Sequence, residues 1–302
     1  MGVRALLSDF ADEAARTHYT TVYDEAFAGL PAVNERRTVE TDYGSVCCYE
    51  FGTGDGTPLT LLAGRNAATP MWAPNLPALA ANRRVICIDA IGEAGMSTQT
   101  APIATSADHG LWVEQALDGL DVSTTHLVGA SLGGWTAMHV AAHSRRVRSL
   151  TLVDAVTTFA KLRAGFIAAG MLAQSPLVTA RRRRRLLAWI AGGEEDSSPQ
   201  ARLGIAALRG FRVKQAPPKL LSDEHLAAVH VPVLALIAGR SRVHNPADAV
   251  ARAHQLPTAT VEMWPDAGHA LNAQFPDRFN SRILEFVSDI DDEGREPRPS
   301  RP

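Results

Sequence analysis

The segment His126-Leu-Val-Gly129-Ala-Ser131-Leu-Gly133-Gly134 decides how the rest of this chain is read. Its first residues are an apolar run with the character of a short strand, and residues 132–143 have the apolar content and length of a helix. Between them stands Gly-x-Ser-x-Gly. A serine hydroxyl is a weak nucleophile and must be exposed and held beside a base. A very tight strand-to-helix turn exposes it, but strains the serine backbone and crowds the residues two places away on either side. Glycines at 129 and 133 remove the side chains that would collide there. The N-terminus of the following helix also offers free backbone N–H groups and positive potential to a developing oxyanion. The bland alternative is a glycine-rich turn with Ser131 as a helix cap.

Working outward, residues 6–29 have amphipathic helical spacing, which Pro31 and Asn34 interrupt. Residues 1–36 are therefore expected to form an N-terminal helical extension. Residues 37–51 alternate as a strand, and Gly52, Gly54 and Gly56 suggest a hairpin turn into 58–62. Strands and helices then alternate: strands at 59–63, 85–89, 126–128 and 147–153, with helices at 71–81, 106–120 and 132–143. This pattern implies an α/β fold, a mostly parallel sheet covered by helices on both faces. After the sixth strand it stops. Residues 156–228 are helical and rich in Ala, Arg and Leu. The alternation resumes with a strand at 231–238, a helix at 246–254, a strand at 259–264 and a helix at 276–290. The expected organisation is a core of 37–155 and 229–290, a helical cap of 156–228 above the carboxyl edge of the sheet, and a flexible tail of 291–302.

The 302 residues are 46% hydrophobic and 21% charged, so a large core forms and disorder is excluded for most of the chain. A net charge of -2 argues against nucleic acid as a partner. Only Lys161, Lys214 and Lys219 are lysines among 30 basic residues, a bias typical of high-G+C bacterial genomes. No apolar stretch reaches membrane-spanning length, and the N-terminus lacks a secretory core. Cys47, Cys48 and Cys87 make no disulfide framework, and no metal-ligand spacing occurs. The expectation is a cytoplasmic protein with no cofactor and no membrane partner. Its oligomeric state is left open.

With the serine turn, the long insert and the segments Met71-Trp72-Ala-Pro74-Asn75 and Asp89-Ala-Ile-Gly92-Glu-Ala-Gly95-Met-Ser97 together, the chain resembles the α/β-hydrolase superfamily from about residue 37 to 290. The resemblance implies a nucleophile, acid and base in the chain order Ser, acid, His. Pro265-Asp266-Ala-Gly268-His269 follows the last strand and matches the family's Gly-His segment, so His269 is the expected base. The usual acid position after the strand that follows the cap falls in Gly239-Arg240-Ser241-Arg242, where Arg242 cannot do the work of an acid. Asp154, at the end of the strand 147–153, is the substitute. A structural turn aspartate, Asp248, or no acid at all are its alternatives.

The oxyanion donors implied are the backbone N–H groups of Leu132 and Arg65, the latter in Ala63-Gly64-Arg65-Asn66 where relatives carry His-Gly. Asn66 and Trp72 are assigned to substrate binding, with a solvent-facing Arg65–Asn66 pair as the bland alternative. Residues 156–230 hold twelve basic and five acidic side chains. That excess would steer an acidic or carrier-bound acyl group, although five successive arginines at 181–185 point all round a helix. Leu186, Leu187, Trp189 and Ile190 are expected to pack the lid onto the core. The implied reaction is hydrolysis of a small or medium carboxylic ester, thioester or lactone through an acyl-enzyme on Ser131. Acyl transfer, cyclisation or a lyase step on the same residues is the first alternative, and a catalytically weak small-molecule-binding protein the second.

Overall fold

The computed structural model describes residues 7–193 and 195–293. Eight principal strands build one sheet: β1 (Glu35–Thr41), β2 (Gly44–Phe51), β3 (Leu59–Leu62), β4 (Val85–Ile88), β5 (Thr125–Ala130), β6 (Val147–Val153), β7 (Val233–Ala238) and β8 (Ala259–Trp264). They lie in the order β8-β7-β6-β5-β3-β4-β2-β1, and the short strand Thr98–Gln99 joins the edge of β2. Strands β3 to β8 run parallel, while β1 and β2 are antiparallel. Every residue of β3, β4, β5 and β7 is buried, as expected of strands covered on both faces.

Helices α1 (Glu13–Phe27), α2 (Leu76–Leu79), α3 (Ser106–Gly119) and α4 (Leu132–Ala141) precede the insert. Helices α5 (Ala164–Gln174), α6 (Ala180–Ala191), α7 (Pro199–Gly210) and α8 (Asp223–Ala227) lie within it. Helices α9 (Pro246–Ala253), α10 (Leu271–Gln274) and α11 (Pro276–Glu293) complete the chain. One core layer joins the sheet to α3, α4 and α9 through Trp112, Trp135, Met138 and Ala249. The other joins it to α1, α2 and α11 through Tyr19, Leu76, Phe279 and Ile283. Among the described residues no helix is long and apolar enough to cross a membrane.

Three expectations change. The stretch 37–51 belongs to two strands rather than one, because the chain reverses at Asp42–Tyr43 and β1 pairs with β2. The glycines at 52, 54 and 56 do not close a hairpin: β3 pairs with β4 and β5, and β2 reaches its other partner, β4. The unbroken apolar run Leu59–Leu62 already belongs to an interior parallel strand, not to a hairpin arm with one wet face. At the ends, helix occupies only Glu13–Phe27 among the described residues of the N-terminal extension, and Glu35 already opens β1. Asp9–Phe10 instead forms a two-stranded ribbon with Phe211–Arg212 of the insert. Residues 291–293 are the last turn of α11, not tail. Asp291 is held there by Arg83 at 2.8 Å, His126 at 3.1 Å and Arg148 at 3.3 Å. Residues 294–302 lie outside the described residues.

Candidate active site

Ser131 sits between β5 and α4 with φ 53° and ψ −116°, a left-handed backbone that non-glycine residues rarely adopt. A side-chain carbon on Gly129 would lie 2.4 Å from the Gly133 carbonyl oxygen, and one on Gly133 would lie 2.2 Å from that of Leu62. Both contacts are impossible for a real side chain, so the two glycines are what let the turn close. The Ser131 N–H donates to the Val153 carbonyl at 2.9 Å, tying the strained turn to β6. The Leu132 N–H opens α4 and has no acceptor inside its own helix.

The loop after β8 brings His269 to this turn. Its Nε2 lies 2.9 Å from Ser131 Oγ and its Nδ1 2.6 Å from Asp154 Oδ2. Asp154 is fully buried at the end of β6, also with positive φ, and accepts the Ala238 N–H at 3.0 Å and the Ser241 hydroxyl at 2.8 Å. His244 Nε2 stands 3.2 Å from Asp154 Oδ1. Burial alone would raise the Asp154 carboxyl, but His244 and His269 outweigh it and hold it well below the usual carboxylate range. Ser131, His269 and Asp154, chosen from sequence, therefore converge in one chain of hydrogen bonds. Asp248 is exposed on α9. Arg242 turns outward, its guanidinium 5.5 Å from the centre of the Trp189 ring. Sequence reasoning missed Ser241, which donates to Asp154, and His244, which stands beside it, both in the loop after β7. Their spacing within Gly239–His244 carries no motif that would have exposed them.

On the opposite side of Ser131, Gly64 packs against the serine Cβ. Arg65 Nη2 lies 3.3 Å from Glu93 Oε1, and the Asn66 N–H donates to Glu93 Oε2 at 3.4 Å. Glu93 is buried; desolvation raises its carboxyl above the usual range, and the Arg65 charge offsets only part of that rise. Here a buried carboxylate contacts the loop, a partner sequence reasoning did not identify. Arg65 and Asn66 both line the cavity over Ser131. Trp72 does not, which corrects its assignment to substrate binding. Its ring is fully buried on the far side of the loop, stacked on Phe279 with centroids 6.4 Å apart. An indole beside an apolar helix gains more by joining the core than by facing a cavity.

The cavity measures about 770 Å³ and is roofed by the insert. Phe166 and Ile167 of α5, Leu187 and Ile190 of α6, and Ile205 and Leu208 of α7 supply apolar wall, with Ser131, Leu132 and His269 at the base. Leu187 and Ile190 thus face the cavity rather than only packing the lid, and Trp189 is partly exposed beneath Arg242. The five arginines of 181–185 do point different ways. Arg183 is buried and donates to the Ala173 and Ser175 carbonyls, while Arg184 and Arg185 reach Glu195. At the cavity wall Arg212 and Lys214 have no carboxylate partner among the described residues. The end of α6 rests on the His269 loop: the Ala270 N–H donates to the Ala191 carbonyl at 3.2 Å, and a side chain on Gly268 would lie 2.6 Å from that same oxygen. Among the described residues no cluster of three metal-ligating side chains occurs.

A family model for the alpha/beta hydrolase family matches residues 61–282. The chain belongs to the alpha/beta hydrolase family. Within that family it is 26% identical over 288 residues to the carboxylesterase YbfK of Bacillus subtilis, covering 92% of this chain and 96% of YbfK. The crystal structure of that esterase, CesB (YbfK), superposes with a TM-score of 0.83 at 25% identity, covering 91% of this chain and 98% of the other. Naproxen esterase from Bacillus subtilis superposes with a TM-score of 0.83 at 24% identity, over 90% of this chain and 98% of its own. The α/β fold with a mostly parallel sheet is thus shared along nearly the whole length of both.

Proposed function

We propose that this family member is a serine carboxylic ester hydrolase acting on a small-molecule ester with a small or medium apolar body. The observation that carries the reading is the continuous relay Ser131 Oγ–His269 Nε2 and His269 Nδ1–Asp154 Oδ2, at 2.9 and 2.6 Å, beneath a roofed cavity. His269 takes the Ser131 proton as Oγ attacks the acyl carbonyl, and returns it to the departing alcohol. Asp154 holds the imidazole in the tautomer that accepts at Nε2 and stabilises the imidazolium. The N–H groups of Leu132 and Arg65 receive the oxyanion. Water, activated by the same histidine, then releases the acid. The relatives' names as carboxylesterases support the reaction class.

The segment 156–228 serves as a cap, and its Arg212 and Lys214 favour an acyl group whose far end is a carboxylate or a phosphate-bearing carrier. Three buried free cysteines suit a reducing compartment, the cytoplasm.

The test is a fluorophosphonate probe followed by peptide mass spectrometry, alongside turnover of p-nitrophenyl butyrate. Labelling of Ser131 that disappears in His269→Ala, together with free butyrate as product, is the expected result. Folded protein that neither labels nor turns over the ester, or that labels elsewhere, refutes the reading. A p-nitrophenyl hemiester of a dicarboxylic acid should be preferred over the neutral ester, and the preference should vanish in Arg212→Ala/Lys214→Ala. Equal preference before and after that change removes the acidic substrate.

A further inference from the structure

We propose that His244 is a positioning residue for the Asp154–His269 pair, and that it sets the pH at which His269 becomes a competent base. The inference rests on the proposed roles of Ser131, His269 and Asp154. Asp154 stands at the end of β6 instead of after β7, so it is buried deep among three strand ends and sees no water. An isolated carboxylate there would take up a proton and could no longer orient an imidazole. Its acceptor sites are filled instead. Oδ2 receives His269 and Ser241, and Oδ1 receives the Ala238 N–H, with His244 Nε2 at 3.2 Å. Two of these groups come from the β7 loop, the stretch in which the acid was expected and where Arg242 stands. That loop supplies donors to the carboxylate rather than the carboxylate itself.

His244 is 2% exposed, and neither of its ring nitrogens completes a hydrogen bond among the described residues. A proton on Nδ1 would be a buried donor with nothing near to receive it, whereas one on Nε2 faces Asp154 Oδ1 at 3.2 Å, so the favoured neutral tautomer carries it on Nε2. The contact lies off the hydrogen-bond line, and such contacts tighten as charge develops on the catalytic imidazole. The surrounding charges do not compete for the carboxylate. Arg242 lies against Trp189, Arg240 is paired with Asp266 at 2.7 Å, and Arg252 with Asp223 at 2.6 Å. Lys161 and Arg163, on the segment whose backbone joins Val243, and Asp248 on α9 are exposed.

With His244 donating, part of the Asp154 negative charge is drawn away from His269. Without it, the carboxylate concentrates on His269 and stabilises the imidazolium. The free base then forms only at higher pH.

The experiment compares wild type, His244→Ala and His244→Gln through the pH profile of kcat/KM on p-nitrophenyl butyrate, with circular dichroism and thermal melts to establish folding. In His244→Ala the acid limb is expected to move up by about half a pH unit or more, with KM nearly unchanged. His244→Gln, which keeps a side-chain donor, is expected to return the limb toward the wild-type position. An acid limb that stays in place in both folded variants overturns the proposal, whatever happens to kcat, because a packing role lowers activity without moving a titration. If His244→Ala does not fold, His244→Phe, which fills the space without a donor, takes its place: a limb at the wild-type position overturns the proposal, and one moved up by about half a pH unit or more upholds it. Fluorophosphonate labelling of wild-type Ser131 is independent of these outcomes, so failure here leaves the ester hydrolase reading standing.

Discussion

Replacing Asp154 with Asn tests the relay at its least expected member. The carboxylate accepts the Ala238 N–H at Oδ1 and the His269 Nδ1 at Oδ2. An asparagine can accept at only one of these positions. The Ala238 N–H is part of the backbone and cannot turn away, so the amide oxygen must stay at the Oδ1 site. The amide NH₂ is thereby directed at His269 Nδ1, 2.6 Å from the position it takes over. Nδ1 must then accept, which moves the imidazole proton to Nε2, facing Ser131 Oγ. In that tautomer the ring cannot receive the serine proton. The same change of tautomer in the serine-protease triad lowers kcat by about 10⁴, or roughly 5 kcal/mol of transition-state stabilisation. The assay is kcat on p-nitrophenyl butyrate, with folding followed by circular dichroism. An Asp154→Asn enzyme that folds and keeps its rate within about tenfold of wild type would show that Asp154 does not orient His269, and the reasoning from Oδ1 and Oδ2 would fail.

Further expectations follow from neighbouring contacts. Glu93→Gln removes the charge that holds Arg65 and Asn66, and should lower kcat by about tenfold, less than the hundredfold or more for deleting an oxyanion donor outright; an unchanged kcat would detach Glu93 from that loop. Trp72→Ala should cost about 3–5 kcal/mol in urea unfolding while leaving KM near wild type, since the ring is buried against Phe279 outside the cavity; a large KM change with little lost stability would return Trp72 to the substrate site. Burial, with the Arg65 charge beside it, lowers His109 to about 4 in the folded protein, whereas the unfolded chain takes up that proton near pH 6.5. Acid therefore favours unfolding as the pH falls from about 6.5 toward 4, by up to roughly 3 kcal/mol, and His109→Phe should flatten the fall in the denaturation midpoint between pH 7 and 5. Equal slopes for wild type and variant would exclude His109 as the source.

The elbow was legible because it is local. Gly129, Ser131 and Gly133 are set by one turn, and the collision distances at the two glycines show why no other residues serve there. His269 was legible because a Gly-His pair after the last strand has a fixed place in the family's chain order. Asp154 was not settled by sequence. Its partner lies 115 residues away, and a turn aspartate at a strand end looks the same whether or not a histidine reaches it. Glu93 was hidden for a related reason, since its role depends on a loop from another strand folding over it. The misplaced Trp72 and the supposed hairpin at Gly52–Gly56 come from the same gap. Neighbouring residues do not report which face a loop presents, or which strand an interior strand will pair with.

By itself, then, the order of residues determined the alternation that makes a parallel sheet, the strained turn that exposes Ser131, and the helical insert above it, because each depends on steric and hydrophobic preferences within a few residues. The identity of the acid, the outward swing of Arg242 and the placing of Ser241 and His244 around the carboxylate were decided only when β6, β7 and β8 came side by side. A buried charge is stable only with its partners in place, and those partners come from strand ends far apart in the chain.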